Sequence, residues 1–108
     1  MKLHISLGAL VFAAALLVAA SDAPQHVVGQ KNKQFSTTAI TIKRGESIQF
    51  VNDDTVTHNV FSKSEVNPFN LKLQPPGDAQ HVRFARPGTA VVRCAIHPMM
   101  RLEVTVEP

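Results

Sequence analysis

Residues 89–107 read TAVVRCAIHPMMRLEVTVE. Two alternating runs flank a short loop. In the first, Ala90, Val92 and Cys94 share one face, with Val91 and Arg93 opposite. Arg93 belongs in water, so Cys94 points into a core. In the second run, Leu102, Val104 and Val106 share a face opposite Glu103 and Thr105. Extending that phase back one step turns Met100 inward and Met99 outward. The period is two, so both runs are strands.

The same reading extends toward the N-terminus. Ala39-Ile40-Thr41-Ile42-Lys43 alternates and stops at Arg44-Gly45, a turn. Glu46 to Asn52 follows, with Ile48 and Phe50 on one face, and Asp53-Asp54 breaks it. Thr57 to Phe61 is short and β-prone. Phe69, Leu71 and Leu73 alternate with Asn70 and Lys72 until Pro75-Pro76-Gly77. Val82 and Phe84 share a face opposite His81 and Arg83, and Arg86-Pro87-Gly88 is another turn. Residues 62–68 have room for a short helical turn that Pro68 limits. Residues 21–26 read as a loose lead-in. Short strands punctuated by Gly and Pro predict an all-β sandwich or barrel.

The chain has 108 residues, which allows one domain, with 44% hydrophobic and 18% charged residues. It is too short for a multidomain oxidase or for a dehydrogenase with its own nucleotide fold. A formal charge of +3 is too small to suggest nucleic-acid binding. Residues 1–20 combine Lys2, an uncharged apolar run from Leu7 to Ala20, and small residues at the end. This is the pattern of a secretory signal peptide cut after Ala20, leaving residues 21–108 as an exported, periplasmic-type domain. A retained membrane anchor is the alternative, but the run is short for a span and no charged stop-transfer flank follows. Stable membrane insertion is not expected after removal of the signal. Cys94 is the only cysteine, so no internal disulfide can form. In an oxidising compartment it is buried and inert, paired to another chain, or bound to metal.

His58 decides among these. One thiolate (Cys94), two imidazoles (His58 and His97) and a thioether can converge. A trigonal set of two His and one Cys with a weak axial Met is the pattern of a type 1, or blue, copper centre. Strand phase makes Met100 the axial candidate and leaves Met99 at the surface near His97. Ligand softness favours copper, although the same residues also accept zinc.

His58-Asn59-Val60-Phe61 together with Cys94-x-x-His97-x-x-Met100 resembles the copper site of the cupredoxins. The Cys-to-Met spacing is similar to that of amicyanin and shorter than that of plastocyanin. The longer pattern is similar to plastocyanin-like proteins of the methylamine utilisation type. The resemblance covers about residues 26–107. It implies a Greek-key β-sandwich and one copper ion held by His58, Cys94, His97 and Met100. It also implies that His97 lies at the surface and passes electrons to a protein donor and acceptor. Ile96, Pro98 and Met99 then form an apolar docking patch. Two departures stand out. Family members often carry a Ser or Thr after the Cys, whose hydroxyl holds the Asn after the first His, and here that place is Ala95. They also often carry an aromatic two residues before the Cys, where this chain has Val92.

The remaining polar residues suggest less. His81 shares a face with Arg83 and His26 lies near the mature start, so both read as surface. Asp53-Asp54 reads as a solvated turn rather than a cation site. A Cys94–His97 nucleophilic pair lacks an oxyanion motif and a third orienting group. The expected function is a small, monomeric, exported carrier of single electrons by Cu(II)/Cu(I) cycling. The alternative is a copper carrier or sequestering protein without electron-transfer turnover. A further possibility is an interaction module that does not use the metal. An enzyme is not expected: a type 1 site is closed to substrate, and the chain lacks the His-x-His pairs of multicopper oxidases.

Overall fold

The computed structural model describes Lys2 and residues 23–108. Apart from Lys2, the expected signal segment falls outside the described residues. The described strands are β1 (His26–Lys31), β2 (Gln34–Phe35), β3 (Ala39–Lys43), β4 (Ser47–Asn52), β5 (Val60–Ser62), β6 (Phe69–Asn70), β7 (Ala79–Arg83), β8 (Gly88–Cys94) and β9 (Arg101–Glu107). They form two mixed sheets, in the orders β2-β1-β4-β7 and β3-β9-β8-β5-β6. The pairs β1–β4 and β3–β9 are parallel, and the others are antiparallel. The product is a Greek-key β-sandwich.

The inner faces follow the alternation. Val28, Ile48 and Phe50 of the first sheet meet Ile42, Val60, Val92, Leu102, Val104 and Val106 of the second in one core. Phe69 bridges Phe50 and Phe84, stacked on one at 5.6 Å and edge-on to the other at 6.1 Å. Cys94 and Met100 are buried in this core, while Met99 is 71% exposed. His81 is exposed, and His26 is half-buried against Glu46 at 3.2 Å.

Some elements differ from the sequence reading. β1 and β2 fall in a region where no strand was expected, and His26 begins β1 instead of closing a lead-in. The inner face of β1 is Val28 and Gln30, so a polar residue breaks the apolar alternation. In the 62–68 stretch Ser62 closes β5 and residues 64–67 are bends, with no helical turn. The strand at Phe69 ends after Asn70, because Lys72 adopts φ 61° and its N–H bonds Asn70 Oδ1 at 2.8 Å. Leu73 is thereby turned out to solvent.

β1 and β2 form a two-residue hairpin. Lys31 pairs with Gln34, and Asn32 and Lys33 have φ of 53° and 56°. Two positive φ values define a type I′ turn, which matches strand twist and favours Asn-Gly. A lysine there carries steric strain that glycine lacks. Lys33→Gly is therefore expected to raise stability by about 0.5–1 kcal/mol, the strain relieved minus the chain entropy of glycine. Denaturant melting checks this, and an unchanged midpoint would contradict it.

Candidate metal centre

The ends of β5 and β8 build the centre. Val60 pairs with Cys94 across this edge, so His58, two residues before Val60, lies beside the thiol. The loop from Cys94 to Met100 then brings His97 back. A bond from Met100 N–H to the His97 carbonyl at 3.0 Å closes the loop, and Arg93 braces it through the Pro98 carbonyl at 2.9 Å.

Cys94 Sγ lies 3.6 Å from His58 Nδ1 and 3.8 Å from His97 Nδ1, and the two nitrogens are 3.0 Å apart. A nitrogen and a thiolate bound to one ion at about 2.0 and 2.3 Å, roughly 120° apart, are separated by about 3.7 Å. The observed spacings fit one small soft ion. His58 and Cys94 are buried and His97 is half-buried. Met100 is 2% exposed on the same loop. The thiol and both imidazoles thus converge, and Met100 is buried at the end of the loop that carries Cys94 and His97.

Asp54 was not expected here. Its Oδ2 lies 3.0 Å from His58 Nε2, and its side chain is largely buried. The pair Asp53-Asp54 is therefore more than a solvated turn. Asp54 also accepts from the Lys33 N–H at 2.9 Å and the Thr55 N–H at 2.8 Å. These contacts, led by Lys33 N–H and followed by His58, hold its carboxyl at about 2 against an ordinary 3.8. An ionised carboxylate can only accept. The proton of His58 therefore sits on Nε2, and the Nδ1 lone pair faces Cys94 and His97. A carboxylate behind an imidazole is the usual second partner of a metal-bound histidine. The spacing of Asp54 and His58 is the only trace of this contact in the sequence.

Burial lowers the proton affinity of His97; the Lys33 charge, and any proton gained by His58, oppose its protonation further, and the Asp54 carboxylate offsets only part of this. A neutral imidazole is the form that binds metal. The thiol receives the Asn59 N–H at 3.3 Å. No hydroxyl follows Cys94, and the tie to Asn59 is made otherwise. The Asn59 side-chain amide donates to Asn70 Oδ1 at 2.9 Å, and the Asn59 main-chain carbonyl accepts the Ala95 N–H at 3.0 Å.

A Greek-key sandwich that gathers two imidazoles and a thiol at the end of one sheet has the architecture of a cupredoxin. The family of copper binding proteins, plastocyanin/azurin family, matches residues 22–107. Amicyanin of Paracoccus versutus is 34% identical over 95 residues, 83% of this chain and 72% of that protein. The methylamine utilization protein MauL of Methylorubrum extorquens is 31% identical over 98 residues, 90% of this chain and 86% of that protein. The crystal structure of Paracoccus versutus amicyanin superposes with a TM-score of 0.70 at 32% identity, covering 80% of this chain and 86% of that one. This chain belongs to the plastocyanin/azurin family of copper-binding proteins. It is a type 1 copper protein of electron transfer.

Proposed function

We propose that this chain is a small exported carrier of single electrons, with His58, Cys94, His97 and Met100 as the copper ligands. The observation that carries the reading is the convergence of His58 Nδ1, Cys94 Sγ and His97 Nδ1 within one ion's reach. When bound, copper supplies a one-electron Cu(II)/Cu(I) couple. The protein's part is to hold the donors still. Cys94 is paired with Val60 across β5 and β8, His58 is held by its isolated bridge to Gln74, and the Arg93 brace and the Met100–His97 bond fix the loop. Little rearrangement is then needed between oxidation states. Met100 would supply a weakly held thioether to the copper, and the Asn59 N–H on Cys94 Sγ would moderate the charge on the thiolate.

His97 is the half-buried donor, and Ile96 and Met99 beside it are 47% and 71% exposed. We assign this apolar edge as the docking point of a protein donor and acceptor. Charges around it set the salt dependence of encounter. Export rests on the signal-like pattern of residues 1–20. The domain is expected to act as a monomer and without a catalytic reaction of its own.

Titration of the purified protein with Cu(II), followed by visible absorption, tests the reading. An intense blue or green band saturating at one copper per chain supports it, and a colourless protein refutes it. Met99→Ala is expected to keep the colour and slow electron exchange with the partner, as followed by stopped-flow spectroscopy. Loss of colour in that variant would move the axial role from Met100 to Met99. The exposed thioether of Met99 also suits a copper carrier. Ready release of Cu(I) to an acceptor, without reversible cycling, would favour that reading.

A further inference from the structure

Gln74 is wholly buried, whereas its neighbour Leu73 is 65% exposed. The usual preference is inverted at this point: an amide is placed inside and an aliphatic side chain outside. An inversion of this kind needs a local reason. The main chain of Gln74 supplies the first part. Its N–H donates to the His58 carbonyl at 2.7 Å, and its carbonyl accepts the His58 N–H at 3.0 Å. The two residues form an isolated antiparallel bridge.

The side chain supplies the rest. Gln74 Oε1 accepts from Gln30 Nε2 at 3.1 Å. Its Nε2 donates to the Phe50 carbonyl at 3.2 Å and to Asp78 Oδ2 at 3.1 Å. Gln30 and Phe50 lie on β1 and β4 of the first sheet, whereas His58 leads into β5 of the second. Asn52, also buried on β4, completes the frame. Its Nδ2 donates to the Gln74 carbonyl at 2.8 Å and to the Val56 carbonyl at 2.9 Å. Its Oδ1 accepts the Asp54 N–H at 2.9 Å. One amide network therefore holds the backbone of His58 and orients the carboxylate behind its ring. Gln30 Oε1 is buried without a hydrogen-bond partner among the described residues. A leucine at position 30 would avoid that cost, so the value of Gln30 lies in gripping Gln74.

We propose that Gln74 is a positioning residue of the metal centre: it is the cross-sheet strut that sets the distance of His58 from Cys94. The inference rests on His58 being a copper ligand, as proposed above. Side chains that hold metal-bound histidines act on the metal at one remove.

Gln74→Leu keeps the backbone bridge and removes the side-chain grip. Val106→Ala, in the core beside Gly88 at the opposite end of β8, serves as a control for general destabilisation. In the metal-free protein, amide exchange at His58 and Gln74 is expected to quicken by about tenfold beyond any change at Val104, as local opening escapes the global limit. In the Cu(II) form, the relative intensities of the thiolate bands are expected to change in Gln74→Leu and not in Val106→Ala. Exchange and band ratio both matching the control would overturn the proposal. If Gln74→Leu fails to fold, the Gln30→Leu/Gln74→Leu double variant removes both amide partners together. A double variant with wild-type band intensities and wild-type exchange at His58 would also overturn it. A wild-type protein that takes no copper would count against the electron-carrier reading instead, while exchange at His58 would still decide the strut.

Discussion

Cys94→Ala is expected to give a folded, colourless protein that no longer retains copper against a chelator. Cys94 is the only thiol, and its sulfur lies 3.6 and 3.8 Å from the two ring nitrogens. The intense visible colour of a type 1 centre arises from the thiolate–copper bond, and neither imidazole nor thioether can supply it. The cost to the fold is modest. A small buried side chain is lost and the Asn59 N–H loses its acceptor, together about 1–2 kcal/mol. Circular dichroism would establish folding, and absorption with Cu(II) would read the loss. A variant that kept the intense band would refute the role of Cys94.

Asp54→Ala is expected to weaken copper binding by about 10–100-fold, the usual cost of removing the partner behind a metal-bound histidine. Two effects combine. The His58 Nε2–H loses its acceptor, so the ring is free to turn. The donor atom also loses the electron density that a carboxylate lends through the ring. Asp54→Asn should fall between the wild type and the alanine variant, since an amide oxygen still accepts. Chelator competition measures the affinity, and unchanged affinity in Asp54→Ala would show that the metal does not feel this contact. The acid stability of the metal-free protein gives a second readout. The fold depresses the Asp54 carboxyl from 3.8 to about 2. Its contribution is therefore complete above 3.8 and disappears as pH falls through about 2. Removing it should flatten the stability profile across that window.

The inward turn of Cys94 and Met100 is legible in residues 89–107, because strict alternation around Arg93 and Glu103 leaves no other phase. The same holds for β3 and β4. β1 is not legible in this way. Its inner residues are Val28 and Gln30, and Gln30 is inside only because Gln74 meets it there from far along the chain. The run Phe69-Leu71-Leu73 misleads for a local reason. Asn70 captures the Lys72 N–H and turns the backbone left-handed, which flips Leu73 outward and Gln74 inward. The role of Asp54 is hidden for a similar reason. Its spacing from His58 suggests contact on a helix, but here the chain is a bend shaped by the Asn52 side chain. The ligand types and their order are thus readable from spacing, whereas the polar frame behind them depends on side chains that meet only after folding.

The parallel union of β3 with β9 carries a consequence for assembly. β9 is the last of the described strands in chain order, yet it lies between β3 and β8 in its sheet. Before β9 is in place, β8 meets its other neighbour, β5, only through Val60↔Cys94 and Phe61↔Arg93. Pairing across so long a chain separation is slow and comes late. A polypeptide halted after His97 would already possess two imidazoles and the thiol, but not the rail along which Cys94 is aligned. Metal capture thus waits on the docking of β9, the keystone that turns a set of donors into a site.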